Sequence, residues 1–337
     1  MSIPVVDLSS LQKQDISEAE LKKVASELCT VFETVGFAYL KNHGVPYTTK
    51  EIMNESKHFF GLDQENKKNL ARKNFEGGNK NTYRGYFPLQ KGDPSYKEGF
   101  EIGPYSSQEE ADKNKRNQQQ SEFDLEEVNV WPSEERLPGF NHFAIDLYKS
   151  CRALGSRIMK LVAVYYNLPH DFFESFFEPS LSTLRLLHYP KRVGSGSTFL
   201  SEDDKIPLSC AAHTDSGIIT ILFQDDAGGL QVKDSTSNWV DVTPIENTII
   251  INLGDLLSKW TNGRFVSTLH RVKATPADRY SVPFFFEPSF DAVIQPLSVC
   301  LSEGETPKMQ PIQYGTHVCS KMDTWVEYRG GVEVEYL

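Results

Sequence analysis

Apolar residues in the first half of the chain recur mainly at the three-and-four spacing of amphipathic helices. Ser17 opens the first such segment as a helix N-cap, and Gly36 ends it. A second, shorter helix is predicted to end at Gly61, and a long one to run from about residue 139 to 167. Residues 1–180 are therefore predicted to be mainly helical. Two short strands are also predicted there, at 3–7 and 37–40.

From residue 181 the apolar pattern changes to alternation, which is typical of strands with one buried face. Gly, Pro, Asn and Asp separate the segments at short intervals, as in β-sandwiches and barrels. The predicted strands lie at 181–189, 208–213, 218–224, 229–233, 239–242, 248–252, 265–272, 279–286 and 292–294. We expect a β-rich core over residues 181–300, with the helical region packed around it and a tail or helix at 301–337.

Three stretches of the chain bear on its division into domains. Residues 74–136 are polar and show neither the helical nor the strand periodicity, which predicts irregular structure. Within them, Ser106–Glu122 is interpreted as a solvated surface loop. The Gly194–Asp204 segment is interpreted as a flexible insertion. No stretch has the composition of an interdomain linker. Residues 1–337 are therefore predicted to fold as one compact unit.

Composition narrows the classes of partner. The net charge of −11 argues against a protein that binds nucleic acid or an anionic membrane. The five cysteines are scattered and form no C-x-x-C pair, as in an intracellular protein with free thiols. The sequence shows no signal-peptide pattern and no apolar run near the roughly 20 residues that span a bilayer. We expect a cytoplasmic monomer whose partners are small molecules.

Three residues of the β-rich region form a candidate metal site. His213 and Asp215 are two apart on a predicted strand, so their side chains face the same side, and His270 lies in a later strand-like segment. Two imidazoles and one carboxylate leave coordination positions open, which suits non-haem Fe(II). The H-x-D pair alone is a weak signal, because His and Asp are often neighbours by chance on a surface. The remaining histidines are interpreted as structural or solvated: His43, His58, His142, His170, His188 and His317.

A candidate carboxylate-binding pair, Arg279 and Ser281, shares one face at the head of the next predicted strand. A guanidinium holds a carboxylate with two parallel hydrogen bonds, and a hydroxyl adds a third. The alternative is a surface arginine beside a neighbouring acid. The apolar run Val282–Phe286 favours the first interpretation, because an arginine that leads into a buried strand needs a carboxylate partner. Arg185 and Tyr189, on one face of an earlier strand, are either further contacts or polar groups of the core.

These motifs, in this order and over nearly the whole chain, resemble the isopenicillin N synthase-like branch of the 2-oxoglutarate/Fe(II)-dependent dioxygenase superfamily. Each motif is modest by itself, and their combined order makes the resemblance specific. The matching segments are Ile3–Leu8, Val35–Phe37, Asn42–Val45, Leu187–Pro190, Ala212–Asp215, Gly228–Val232, Asn252–Asp255, Ser267–Val272 and Arg279–Ser281.

The resemblance implies an α+β fold dominated by β structure, with a double-stranded β-helix (jelly-roll) core and an N-terminal helical cap. It implies Fe(II) on the three metal-site residues and 2-oxoglutarate on Arg279 and Ser281, with Tyr189 nearby and Phe285 facing the substrate. It implies an enzyme that uses O₂ and 2-oxoglutarate to hydroxylate, desaturate or cyclise a small metabolite, releasing succinate and CO₂. Leu187 stands where plant members commonly have Asn, so the inner carboxylate of 2-oxoglutarate is expected to be held differently.

Two other functions remain open at this stage. One is an oxidase of the same fold that takes all its electrons from the substrate, with Arg279 and Ser281 gripping a substrate carboxylate instead. The other is a non-enzymatic jelly-roll binding protein that has kept the site. Substrate contacts are hardest to assign: Tyr83 and Arg84 are candidates, and the alternative for both is a structural role.

Overall fold

The computed structural model of the protein describes residues 2–90, 95–114, 123–192, 199–322, 324–328 and 333–337. Within these ranges the α-helices are α1 Glu18–Thr34, α2 Thr49–Phe60, α3 Gln64–Asn69, α4 Gln108–Asn114, α5 Phe140–Tyr165, α6 Asp255–Trp260 and α7 Tyr314–Met322. Single turns of 3-10 helix lie at Ser9–Gln12, Glu174–Phe177, Ser298–Cys300 and Val326–Tyr328.

Most of the strands belong to two sheets. The described strands are β1 Val5–Asp7, β2 Phe37–Lys41, β3 Gly85–Phe87, β4 Leu89–Gln90, β5 Glu98–Ile102, β6 Thr183–Tyr189, β7 Leu208–His213, β8 Ile219–Gln224, β9 Leu230–Lys233, β10 Trp239–Asp241, β11 Thr248–Leu253, β12 His270–Lys273, β13 Arg279–Phe286, β14 Val293–Ile294, β15 Ile312–Gln313 and β16 Val334–Glu335. The larger sheet has the order β1-β2-β11-β8-β13-β6-β5-β3, and the smaller one has the order β10-β9-β12-β7. The short strands β14–β15 and β4–β16 form separate pairs.

The two sheets face each other across an apolar layer to which both contribute. The larger sheet supplies Phe37, Leu187 and Ile250, and the smaller sheet supplies Val232 and Val272. Two sheets packed through their inner faces make a sandwich, and this one is the jelly-roll core that the resemblance implies. The α+β class dominated by β structure is thereby confirmed.

Helices α1, α2 and α5 cover the outer face of the larger sheet and enclose a second apolar core. The capping box predicted for α1 is present, since Ser17 and Glu20 bond reciprocally. Gly36, two residues after the last residue of α1, has a φ of +66°, and a Cβ there would lie 2.0 Å from the carbonyl oxygen of Val266. Among the described helices, none has both the length and the apolar character that a membrane crossing requires.

The prediction of irregular structure over residues 74–136 is wrong for β3, β4, β5 and α4. Strand β5 is completely buried in the larger sheet, although Glu98 and Glu101 would place two charges in its interior. Both carboxylates have cationic partners, Lys67 for Glu98 and Arg72 for Glu101. Charges that are paired can be buried. The polar residues of β5 therefore made a core strand look like irregular structure in the sequence. Residues 115–122 of the predicted surface loop and residues 194–198 of the predicted insertion lie outside the described residues.

The strand predicted at 265–272 is much shorter in the structure, because β12 begins only at His270. The segment before it is tied to helices instead of a sheet: Val266 N donates to Phe32 O at 2.9 Å and Ser267 Oγ to Asp255 Oδ1 at 2.8 Å. Helix α6, which holds that aspartate, was not predicted. The remaining strand predictions from residue 181 onward match observed strands to within two residues at each end.

Candidate metal centre and its cavity

The three predicted metal ligands come together where β7 and β12 pair. His213 ends β7 and lies directly opposite His270, the first residue of β12. The Nε2 atoms of these histidines lie 3.8 and 3.7 Å from Oδ1 of Asp215. One ligand atom from each of the three residues lies within 4.8 Å of the others. A single divalent ion fits between them, with coordination positions left over.

Backbone carbonyls set the orientation of both imidazoles. Nδ1 of His213 lies 2.8 Å from the carbonyl oxygen of Ala211, and Nδ1 of His270 lies 3.1 Å from that of Thr268. A proton donated from Nδ1 leaves the lone pair on Nε2, which is the tautomer that a metal needs. Phe37 packs edge-on against the His270 ring. Burial, together with the nearby His213, lowers the pKa of His270 to about 4, so this imidazole is neutral at physiological pH.

The carboxylate of Asp215 is held by one oxygen. Its Oδ2 accepts hydrogen bonds from Thr220 Oγ1 at 2.5 Å and from Asn252 Nδ2 at 2.6 Å. Burial opposes ionisation, but His270, His213 and these two hydrogen bonds hold the pKa of Asp215 below its ordinary value. The carboxylate therefore remains charged, and its Oδ1 faces the two imidazoles. Sequence reasoning did not identify Thr220 or Asn252 as supporting residues, because neither neighbours a ligand in the chain.

Arg279 lies on β13, completely buried and opposite Tyr189 on β6. Its Nε donates to the carbonyl of Gly228 at 2.7 Å, its Nη1 to Ser281 Oγ at 3.2 Å, and its guanidinium lies over the Tyr189 ring. Among the described residues no carboxylate lies within ion-pairing distance of it. A buried guanidinium without a counter-ion is costly, and the carboxylate of a bound dicarboxylic acid would satisfy it. The predicted pair of Arg279 and Ser281 is thus assembled, with Tyr189 beside it.

Leu187 lies in the apolar layer between the sheets and is 5% exposed. It offers no polar group to a ligand. That the inner carboxylate of 2-oxoglutarate is held differently from that in plant members stays a prediction.

A cavity of about 400 Å³ opens beside the metal-site residues. Of the predicted substrate contacts, Phe285 and Tyr83 lie in its wall. Arg84 lies elsewhere: it is completely buried, and its Nη1 donates to Thr183 Oγ1 at 2.5 Å. This placement favours the structural role, which was the alternative for Arg84. It supports Thr183, which does reach the cavity.

Besides the metal-site residues, part of the cavity wall is charged, and of these further charged residues sequence reasoning had named only Arg185. Lys97 donates to Glu327 at 2.9 Å, and Arg185 lies 3.6 Å from the same carboxylate. Arg185 also pairs with Glu101, which in turn pairs with the completely buried Arg72. These residues come from distant segments of the chain, so the network could not be predicted from the spacing of residues in the sequence.

The C-terminal region, predicted only as a tail or helix, closes another side of the cavity. Helix α7 contributes Tyr314 and Val318, and the following segment contributes Trp325 and Glu327. Tyr314 donates to the carboxylate of Glu287, another wall residue that sequence reasoning missed.

Known proteins resemble this chain along almost its whole length. Residues 180–288 match the family model of the 2OG-Fe(II) oxygenase superfamily, and residues 3–134 match the model described as non-haem dioxygenase in morphine synthesis N-terminal. A 2-oxoglutarate-Fe(II) type oxidoreductase of Emericella nidulans is 32% identical over 329 residues, which span 92% of this chain and 86% of that protein. A homoarginine-6-hydroxylase of Oryza sativa subsp. japonica is 30% identical, spanning 96% of this chain and 97% of that protein. The crystal structure of a full-length Neurospora crassa protein in complex with alpha-KG and thymine superposes with a TM-score of 0.75 at 29% identity, covering 96% of each chain.

Proposed function

Because the chain belongs to the 2OG-Fe(II) oxygenase superfamily, we propose that His213, Asp215 and His270 hold its Fe(II) and that Arg279 and Ser281 hold 2-oxoglutarate. The protein is a 2-oxoglutarate/Fe(II)-dependent dioxygenase, whose co-substrates are O₂ and 2-oxoglutarate and whose co-products are succinate and CO₂. The observation that carries the residue assignment is the triad, whose ligand atoms lie within 4.8 Å of one another with both Nε2 atoms directed at Asp215.

The residues of this chain prepare the site for that chemistry. Bound Fe(II) supplies the centre at which O₂ and 2-oxoglutarate are converted to an oxidant. Arg279 and Ser281 fix the distal carboxylate of 2-oxoglutarate and so set its distance from the metal. Phe285 and Tyr83 exclude water from the substrate side and position the carbon to be oxidised. The protein thus contributes the orientation of the co-substrate and substrate and the protection of the oxidant from water.

Small organic molecules are the proposed substrates. A relative of the chain is named for homoarginine hydroxylation, and the similar Neurospora crassa protein has been crystallised with thymine. A cavity of about 400 Å³ suits molecules of this size. All five cysteines are unpaired, which suits the reducing cytoplasm. We also keep the expectation of a monomer that does not bind nucleic acid, for which sedimentation and electrophoretic mobility-shift measurements are the tests.

An anaerobic titration of the Fe(II)-loaded protein with 2-oxoglutarate tests the proposal. We expect a visible charge-transfer band and, once air is admitted, formation of succinate. His270→Ala should abolish the band by removing a metal ligand, whereas His142→Ala, which changes an exposed histidine of α5, should keep it. Wild-type protein that binds Fe(II) yet gives neither band nor succinate would contradict the use of 2-oxoglutarate and point to a substrate-only oxidase.

A further inference from the structure

Glu287 follows β13 directly, on the face of the strand that also carries the candidate 2-oxoglutarate residues. Because side chains alternate along a strand, Arg279, Ser281, Phe285 and Glu287 all face the same side. Phe285 is paired with Thr220, which holds the metal-ligand Asp215. The strand thus runs from the carboxylate-binding pair, past the residue that pairs with Thr220, to Glu287 in the wall of the cavity.

Glu287 differs from the other charged residues of the cavity wall in having no ion-pair partner among the described residues. Lys97 and Arg185 are both paired with Glu327. Among the described residues, no Lys, Arg or His lies within ion-pairing distance of Glu287. Its side-chain partner is the hydroxyl of Tyr314, which donates to Oε2.

A half-buried carboxylate without a counter-ion is unfavourable, and it persists where function requires it or where hydrogen bonds suffice to hold it. The other carboxylates of the sheet interior show the contrast, because Glu98 and Glu101 are both paired with cations. A purely structural role, in which Glu287 anchors α7 through Tyr314, is the competing explanation. That role needs only an acceptor oxygen, which a glutamine would also provide.

The metal site itself does not neutralise Glu287 once the co-substrate is bound. The charges of Fe(II), Asp215, dianionic 2-oxoglutarate and Arg279 cancel one another. A neutral substrate would leave the carboxylate unmatched in a confined space, whereas a cationic nitrogen would pair with it. Phe285 and Trp325 provide apolar surface for the body of such a molecule.

We propose that Glu287 is a specificity-determining residue that binds a cationic nitrogen of the substrate, such as an alkylammonium, a guanidinium or a protonated heterocycle. The substrate class is therefore a small organic cation whose carbon skeleton extends from Glu287 towards the metal. This inference rests on the proposed function, because it assumes that the cavity is the substrate site. Burial and the nearby charge of Asp215 raise the pKa of Glu287, opposed by Arg84. A cation bound beside Glu287 would favour the ionised form of this carboxyl.

Calorimetric titrations with matched probes test the inference. The full-length protein is loaded with Mn(II) and 2-oxoglutarate under anaerobic conditions, so that probes bind without turnover. Butylguanidinium is compared with butylurea, and piperidinium with tetrahydropyran, because each pair differs mainly in charge. We expect at least one cation to bind about ten-fold more tightly than its neutral partner.

Two variants separate recognition from structure. Glu287→Gln keeps the acceptor for Tyr314 and removes the charge, so the preference for the cation should fall to within about two-fold. Tyr314→Phe removes the hydroxyl and leaves the carboxylate, so the preference should remain even if the protein melts at a lower temperature.

Three outcomes overturn the inference: neutral partners that bind as tightly as the cations, a preference that survives in Glu287→Gln, or no binding of either cation at millimolar concentration. Binding of 2-oxoglutarate is measured in the same titrations. Its absence in the wild-type protein would sink the proposed function, whereas normal binding without a cation preference would sink only this inference.

Discussion

At the scale of single residues, the hydrogen bonds around Arg279 decide how a carboxylate can be held. Its Nε is already bonded to the carbonyl of Gly228, which fixes the plane of the guanidinium and leaves the outer nitrogens to face a ligand. Ser281 accepts from one of these nitrogens, so its own proton is available for the ligand. Arg279 thus supplies the positive charge and a fixed plane of donors for a carboxylate, and Ser281 supplies one further hydrogen bond.

Arg279→Lys tests the geometric contribution, because it keeps the charge and removes the planar pair of donors. Loss of one charge-assisted hydrogen bond costs about 1.5–3 kcal/mol, so the Kd for 2-oxoglutarate should rise about ten- to hundred-fold. Ser281→Ala should raise it by less. Titration of the charge-transfer band measures both. An unchanged Kd in Arg279→Lys would mean that the guanidinium does not hold the co-substrate.

Asn252→Ala tests whether the residues that hold Asp215 matter for the metal. The variant removes the 2.6 Å hydrogen bond to Oδ2 and frees the carboxylate to rotate. Loss of such a supporting contact typically weakens metal binding about 10- to 100-fold. Competition against a fluorescent chelator would measure the Kd. Asn238→Ala, which changes an exposed turn residue, is the control and should bind metal normally.

At the scale of elements, sequence patterns succeeded where local contacts determine structure. Helix α1 was recognisable because its capping box and Gly36 are local signals, and β13 because its apolar run is bounded by recognisable residues. Strand β5 was not recognisable, because Glu98 and Glu101 become compatible with burial only through partners far away in the sequence. The candidate metal ligands were predicted from residue type and family order, whereas Glu287, Glu327 and Tyr314 reach the cavity through tertiary contacts that carry no motif.

Strand β5 should make the protein sensitive to acid. Burial raises the pKa of Glu101, but Arg185 and Arg72 outweigh it and hold the pKa below 4.5. A lowered pKa contributes stability that is present above 4.5 and is lost as the pH falls through the folded-state value.

Glu101→Gln leaves the buried guanidinium of Arg72 without its carboxylate and leaves Arg185 paired with Glu327 alone. The free energy of unfolding at neutral pH should fall by about 3–5 kcal/mol. The difference from wild type should shrink as the pH falls below 4.5. Urea denaturation at several pH values measures it. Glu109→Gln breaks only an exposed pair with Lys113 and should change stability by less than about 1 kcal/mol. A pH-independent effect of Glu101→Gln would show that packing, not charge, is responsible.

At the scale of the whole molecule, the N-terminal region supplies both edges of the larger sheet. Strands β1 and β2 extend it beyond β11, and β5 and β3 extend it beyond β6. Glu327, near the other end of the chain, is bonded to Lys97, so the C-terminal segment is tied to the same assembly. We therefore propose that the chain folds as one unit without independent domains.

Thermal denaturation tests this proposal. Far-ultraviolet circular dichroism and tryptophan fluorescence should give a single, coincident transition, because neither region can unfold without breaking the larger sheet. Addition of Mn(II) and 2-oxoglutarate should shift the whole transition upward, since both bind only the folded state. Two separated transitions, or a ligand-induced shift of only one of them, would indicate two independent folding units.

Strand β13 carries Arg279 at its start, and Glu287 follows its last residue. Under the proposed assignments, the co-substrate and the substrate are contacted from opposite ends of this single strand. In evolutionary terms, we expect that a duplicated gene can change its substrate through replacements around residue 287 while residues 279 and 281 stay constant. A new substrate would remain compatible with the same co-substrate, because the two contacts are separated along the strand.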